Sequence, residues 1–152
     1  MSNDKNRVKT ELGKVKGNGQ KERVFDLEER LINFAVRIIA VVEALPNTRA
    51  GNHVAGQLVR SGTSPSPNYA EAQSAESRND FIHKIKICLK ELRETRVWLL
   101  IIQRKPLIKP PHKLQPLLTE CDELIAIFVT SIGTAQKNKG QKNVEHRTRN
   151  DK

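Results

Sequence analysis

The residues best suited to chemistry in this chain are cations on one side of a predicted helix. The segment 77–104, SRNDFIHKIKICLKELRETRVWLLIIQR, has apolar residues at helical spacing and contains neither glycine nor proline. At about 100° per residue, a group of cations falls within about 60° on this helix: Lys86, Lys90, Arg93 and Arg104, here called the basic row. Lysine and arginine arranged in this way suit contacts with phosphate groups. We therefore expect a polyanion, nucleic acid first, to bind the basic row and the adjacent Lys105.

The same helix carries two apolar surfaces. One is the predicted core stripe, formed by Phe81, Ile85, Cys88, Leu89, Leu92 and Leu99. The other lies outside that stripe and consists of Ile87, Trp98 and Ile101. Because the core stripe already fills the face toward the bundle, we expect this second strip to contact another copy of the chain or a partner protein. For Trp98 the alternative is packing within its own bundle.

The net charge of +10 is concentrated in three parts of the chain. Residues 1–25 contain seven Lys and Arg against three Asp and Glu, and residues 136–152 contain six against two. The segment 78–109 contains nine against three. Basic tails alone would only favour solubility. Basic tails combined with a basic helix favour a nucleic-acid partner, RNA or DNA.

No residue pattern indicates a catalytic or metal centre. The di-metal sites of four-helix bundles use two Glu-x-x-His motifs, and only Asp80-Phe-Ile-His83 approaches that pattern. Cys88 and Cys121 lie in apolar helical patterns without Cys-x-x-Cys spacing, so we expect both in the core and not around zinc. The chain has no P-loop and no dinucleotide-binding glycine motif. We expect no enzymatic activity and no cofactor.

Glu71 is a carboxylate in an alanine-rich segment that is predicted to be buried. A catalytic acid is one interpretation of such a residue. We favour a partly buried ion pair with an arginine, and Arg60 is the first candidate, with Arg93 and Arg96 as alternatives.

Apolar periodicity and helix breakers predict four helices, with the second kinked near Pro65–Pro67. They run at about residues 26–45, from 48 or 50 to 75, 77–104, and from 114 or 116 to 135. Short connections favour antiparallel neighbours, so the prediction is an all-α, antiparallel up-and-down four-helix bundle over residues 25–136. The basic segments 1–24 and 137–152 are predicted to be disordered. Without an apolar run of membrane-spanning length or a signal peptide, we expect a cytoplasmic protein with no membrane partner.

Several short motifs occur in a fixed order along the predicted helices. They are Arg60 to Ser64 (RSGTS), Asn68 with Glu71 and Ala72, Asp80 to Ile82 with Lys84, Lys90 and Glu91 with Glu94 and Thr95, Trp98 with Leu99, and Glu120 to Ile127. With these motifs the chain resembles the bacterial four-helix bundle proteins of the 23S rRNA intervening-sequence family over roughly 25–138. Members commonly place Ile-Gly-Ala or Ile-Pro-Ser before the Asn, whereas this chain has Pro65-Ser66-Pro67, so we expect a sharper kink.

The resemblance implies a four-helix bundle that self-associates into closed rings, with a pentamer favoured. Related accessory proteins of diversity-generating retroelements bind nucleic acid and assist a reverse transcriptase. The resulting expectation is a non-enzymatic, self-associating accessory protein that contacts RNA or DNA phosphates, with assistance to a reverse transcriptase as an implied role. The alternative is a protein–protein adaptor with no nucleic-acid role, which docks through Ile87, Trp98 and Ile101.

Overall fold

The computed structural model describes the backbone of residues 19–150 and the side chains of residues 27–140. The helices are α1 (Gly19–Ala44), α2 (Arg49–Thr63), α3 (Pro65–Gln73), α4 (Arg78–Arg104) and α5 (Gln115–Asn150), with a short 3₁₀ helix at Pro111–Leu114. Only Ser64 separates α2 from α3, so the two serve as one kinked helix. The prediction of an all-α four-helix bundle with a kinked second helix is confirmed.

Each of the four helices packs against two others. α4 packs against α5 and against α2–α3, and α1 packs against the same two neighbours. α1 and α4 share no backbone contact within residues 19–150, so they occupy diagonal corners of the bundle. His53 of α2 lies against Trp98 near the end of α4, whereas Glu71 of α3 contacts Lys84 near its beginning. The α2–α3 and α4 chain directions are therefore opposed.

The core contains one stripe of apolar side chains from each helix. Its most deeply buried members include Leu31, Phe34, Ile38, Leu58, Ile85, Leu92, Leu99, Ile102, Leu124 and Phe128. Cys88 and Cys121 are fully buried within it, as predicted. Burial raises the pKa of both thiols to about 12. Both cysteines therefore act as small apolar residues, because a protonated thiol is neither a good nucleophile nor a metal ligand.

The kink between α2 and α3 follows from two prolines that lack backbone N–H groups. α3 begins at Pro65, the first residue of the predicted kink region, and Ser64 keeps helical dihedral angles of −68° and −38°. The side-chain amide of Asn68 donates hydrogen bonds to the carbonyl and the hydroxyl oxygen of Ser64, both at 2.9 Å. Asn68 therefore satisfies polar groups at the point where the helical ladder is interrupted.

The outer helices are longer than predicted. α1 begins at Gly19, so residues 19–24 of the predicted disordered arm are helical. α5 continues to Asn150, so the predicted disordered tail is helical over residues 137–150. Neither extension contains proline, and both are rich in Gln, Lys, Arg and Glu, which propagate a helix that the core has already nucleated. Residues 1–18 and 151–152 lie outside the described residues.

Gly62 lies where α2 crosses closest to α1. A Cβ atom at this position would be 2.6 Å from Cγ2 and 2.8 Å from Cγ1 of Ile38, which is fully buried. Both Cγ atoms are bonded directly to the Cβ atom of Ile38, so they cannot move away without a change of the Ile38 rotamer. The glycine of the RSGTS motif is therefore required by packing.

We predict that Gly62→Ala lowers the free energy of unfolding by about 1–3 kcal/mol, because the added methyl overpacks a closed contact. Gly56→Ala is the matched control, since a Cβ there meets nothing within 4 Å. This control should be neutral or stabilising by up to about 1 kcal/mol, as expected for alanine in a helix interior. Urea unfolding followed by circular dichroism measures both. Equal stability of the two variants would contradict the close approach.

Candidate nucleic-acid interface

The two flanks of α4 are occupied by ion pairs with its neighbours. On one side, Lys84 Nζ lies 2.6 Å from a carboxylate oxygen of Glu71 in α3. On the other, Arg96 Nε donates to Asp122 of α5 at 2.6 Å. Hydrogen bonding to Glu71 raises the pKa of Lys84. These cations therefore serve the packing of the bundle and are not available to a ligand.

Two of the sequence motifs meet where α2 packs against α4. Arg60 pairs with Glu91 at 3.1 Å and with Glu94. At the next residue of each helix, the Thr95 hydroxyl lies 3.0 Å from that of Ser61, and both residues are fully buried. We call these five residues the α2–α4 clamp. Each hydroxyl also has an acceptor in its own helix, Leu58 O for Ser61 and Glu91 O for Thr95, so the contact between them adds to the ion pairs in favouring one register of the two helices.

The predicted ion pair between Glu71 and Arg60 is wrong. Glu71 pairs with Lys84 and is exposed, while Arg60 pairs with the two carboxylates of the clamp. Neither alternative arginine contacts Glu71 either, since Arg96 pairs with Asp122. The reason is distance along the kinked helix: Arg60 and Glu71 are eleven residues apart, about 16 Å at 1.5 Å per residue, so their side chains do not meet. Each pairs instead with the residues of α4 that lie beside it.

The basic row lies on the outward face of α4. All four side chains are exposed, and none forms a side-chain hydrogen bond or an ion pair with another described residue: Lys86, Lys90, Arg93 and Arg104. Lys105, at the C-terminal cap of the helix, is also exposed and has no side-chain partner in the described part of the chain. The structure therefore brings the predicted row together as a set of cations without carboxylate partners among residues 27–140.

Two further cations extend this surface and were missed by the sequence analysis. Lys109 and Lys113 lie in the connector after α4, where both are exposed and unpaired. The 3₁₀ helix that contains Lys113 packs on α4 and α5, so the connector is held against the bundle. The available signal was the segment KPLIKPPHK, which contains three lysines and no acidic residue.

The predicted apolar strip on α4 is not a continuous exposed surface. Ile87 and Trp98 are half-buried, and the Trp98 ring packs edge-on against His53 at a centroid distance of 5.9 Å. The indole N–H also points to Glu94, at 3.4 Å. Ile101 is 40% exposed, and its exposed apolar neighbour is Val97, at 54%. We call Val97 and Ile101 the α4 patch.

α1 carries a second exposed apolar surface, which the sequence analysis did not identify. Ile32, Val36 and Ile39 are 41%, 59% and 42% exposed. Their spacing of four and three places them on one side of the helix, opposite the stripe that enters the core. We call these residues the α1 patch. The missed signal was this second apolar periodicity in a helix whose core stripe had already been assigned.

The described residues give no support to a metal or membrane site. No group of three or more His, Cys, Asp and Glu side chains in this part of the chain could hold a metal ion. No helix among these residues is long and apolar enough to cross a membrane. Shifted pKa values within residues 27–140 belong to the salt-bridged Lys84 and to the buried Tyr69, Cys88 and Cys121. These groups do not form a paired acid and base.

Comparison with known proteins identifies a family and solved structures of similar fold. The model of the family described as 23S rRNA-intervening sequence protein matches residues 25–130. A crystal structure of a protein of unknown function from the S23 ribosomal protein family of Bacteroides thetaiotaomicron is 33% identical, with a TM-score of 0.65. The match covers 70% of this chain and 97% of that one. No functionally curated protein matches the chain.

Proposed function

The chain belongs to the 23S rRNA-intervening sequence protein family, and we propose that it is a self-associating, non-catalytic protein that binds nucleic-acid phosphates through α4. RNA is the first ligand to test, because the family is described by a ribosomal RNA element. The observation that carries the proposal is the basic row, whose cations are exposed and have no partner among the residues that the structure describes.

The geometry of the basic row suits a nucleic-acid backbone. Lys86, Lys90 and Arg93 follow one another at about one helical turn and span roughly 10 Å. A duplex presents a phosphate about every 3.4 Å along each strand, so one groove edge offers several phosphates to these side chains. Such contacts position the ligand but do not read its sequence. We therefore expect weak sequence preference.

The burial of the aromatic side chains favours contacts to the nucleic-acid backbone over stacking on its bases. Tyr69 is buried in the core, where its ring packs edge-on against Phe128 at 6.0 Å. Trp98 is half-buried against His53. Proteins that bind single strands usually stack bases on exposed aromatic rings. Double-stranded or folded RNA is therefore the better ligand for this surface.

The two apolar patches support self-association by different surfaces of the same chain. The α1 and α4 patches lie on helices at diagonal corners and point away from the core. Contact between the α1 patch of one copy and the α4 patch of the next would be heterologous, and interfaces of this kind close into rings. The resemblance to ring-forming proteins implies five copies.

Charges at the ends of the patches are complementary. Glu29 and Glu43 flank the α1 patch along its helix, and both are exposed. Arg93 and Arg104 flank the α4 patch. Opposite charges at both ends favour this pairing and disfavour the pairing of two identical patches. Lys86 and Lys90 lie beyond Arg93 and stay available to a phosphate ligand in such an assembly.

We predict that K86Q/K90Q weakens binding of an RNA hairpin at low salt by about tenfold or more, because two phosphate contacts are lost. The charge-matched control is R37Q/R49Q, which removes two exposed, unpaired arginines from other helices. Fluorescence anisotropy of the full chain measures both affinities. An equal loss in the two variants would mean that only net charge matters and would contradict a site on α4.

We predict that V36E and V97E each abolish self-association, because each places a charge at the centre of one apolar patch. An equimolar mixture of the two should form a dimer and nothing larger, since only one intact patch of each kind is present. Analytical ultracentrifugation measures the masses. V129E is the control, because Val129 is exposed on α5 outside both patches.

Two results would contradict the head-to-tail interface. If V97E alone assembled normally, the interface would be formed by two α1 patches. If the wild-type chain were a monomer without affinity for nucleic acid, the protein–protein adaptor would be the better interpretation.

A further inference from the structure

Two adjoining clefts lie where α3 ends and α4 begins, on the side that faces α5. The first, of about 630 Å³, is lined mainly by apolar and aromatic groups, among them Leu27, Tyr69, Phe81, Ile127 and Phe128. The second has a volume of about 740 Å³. The two clefts share Gln73, Phe81, Thr130 and Ser131, so together they form one groove with a narrow junction. Volumes of this size are typical of small-molecule sites.

The second cleft contains an arginine whose side chain forms no hydrogen bond or ion pair with the described residues. Arg78 lines this cleft, and its Nη1 atom is shielded from solvent without any hydrogen-bond partner. No ion pair involves its guanidinium within the described chain. The protein itself covers Nη1, so an anion in the cleft would contact the remaining guanidinium N–H groups of this partly exposed side chain, which have no partner among the described residues. Arg30, which lines the apolar cleft, is instead paired with Glu120 and Glu123.

Polar groups around Arg78 suit the head of such a ligand. Ser77, Thr130, Thr134 and Asn138 bring hydroxyl and amide groups to the same cleft. The Glu76 carboxylate also lines this cleft and repels an anion. The anionic head of a ligand would therefore bind on the Arg78 side of the cleft. Hydroxyl and amide donors combined with a guanidinium are typical of sites for sulfonate, phosphate or carboxylate groups.

We propose that this groove binds a small amphipathic anion, with its apolar or aromatic body against Phe81 and Ile127 and its anionic head at Arg78. The site lies on the α5 side of α4, away from the basic row, and is independent of nucleic-acid binding. Apolar burial provides affinity for the body, and the unpaired guanidinium selects the anionic head. A neutral molecule with the same body gains only the affinity that comes from apolar burial.

Two fluorescent probes with the same aromatic body test this selection: anilinonaphthalene sulfonate, which is an anion, and phenylnaphthylamine, which is neutral. The full-length chain should bind the sulfonate at least about tenfold more tightly than the neutral dye. Arg78→Gln should remove that difference and leave the neutral dye unaffected. Arg49→Gln, which removes an exposed arginine at the beginning of α2 that has no partner among the described residues, should change neither affinity. Thr130→Trp, which places a bulky ring where the two clefts meet, should weaken the binding of both dyes.

Three results would overturn the proposal. The first is equal affinity of the wild-type chain for the two dyes, and the second is unchanged sulfonate binding in Arg78→Gln. The third is a thermal midpoint of Arg78→Gln lowered by more than about 5 °C, which would make the guanidinium a structural group. A cooperative melt of each variant must accompany the titrations, because the sulfonate dye also binds partly unfolded proteins. If Arg78→Gln does not fold, Thr130→Trp decides, and unchanged binding of both dyes there contradicts the groove.

Discussion

The α2–α4 clamp is the constraint on which the surface of this protein depends. Arg60 reaches Glu91 and Glu94 at the rim, and the Ser61 and Thr95 hydroxyls meet below them in the core. A rotation of α4 about its axis by one residue, about 100°, would separate the two hydroxyls and would point the basic row toward a neighbouring helix. The clamp therefore stabilises one rotation of α4, and that rotation leaves the row in solvent.

The ion pairs around α4 divide its cations into two populations. Lys84 and Arg96 lie in the seams between helices, each with a carboxylate of a neighbouring helix. Because these pairs are partly exposed, each contributes little to stability. They nevertheless occupy the carboxylates beside α4. The outward cations are left without an internal partner, so the same arrangement that joins the helices also produces the basic face.

Much of the fold followed from local signals in the sequence. Apolar periodicity and helix breakers located the four helices, and in the structure the side chains of Thr48 and Ser77 accept hydrogen bonds from Gly51 N and Asp80 N where two of them begin. The kink followed from the two prolines. These features depend on residues within a few positions of one another, so they can be recognised without knowing how the helices meet.

The errors involve contacts between helices or surfaces beyond the core. The partner of Glu71 depends on the register of α3 against α4, which periodicity does not specify. Trp98 lies outside the core stripe on a helical wheel, yet the His53 ring of α2 packs against it. The long ends of α1 and α5 have no apolar stripe to indicate a helix. The α1 patch and Arg78 were overlooked because neither belongs to a core or to a recognised motif.

The most direct test of the basic face is the salt dependence of RNA-hairpin binding, measured for the wild-type chain and for K86Q/K90Q. If both lysines contact phosphates, the slope of log Kobs against log salt concentration should fall in magnitude by about two, roughly one for each contact removed. Identical slopes for the two proteins would show that neither lysine releases counterions on binding. That result would contradict the claim that the outward face of α4 binds the nucleic-acid backbone.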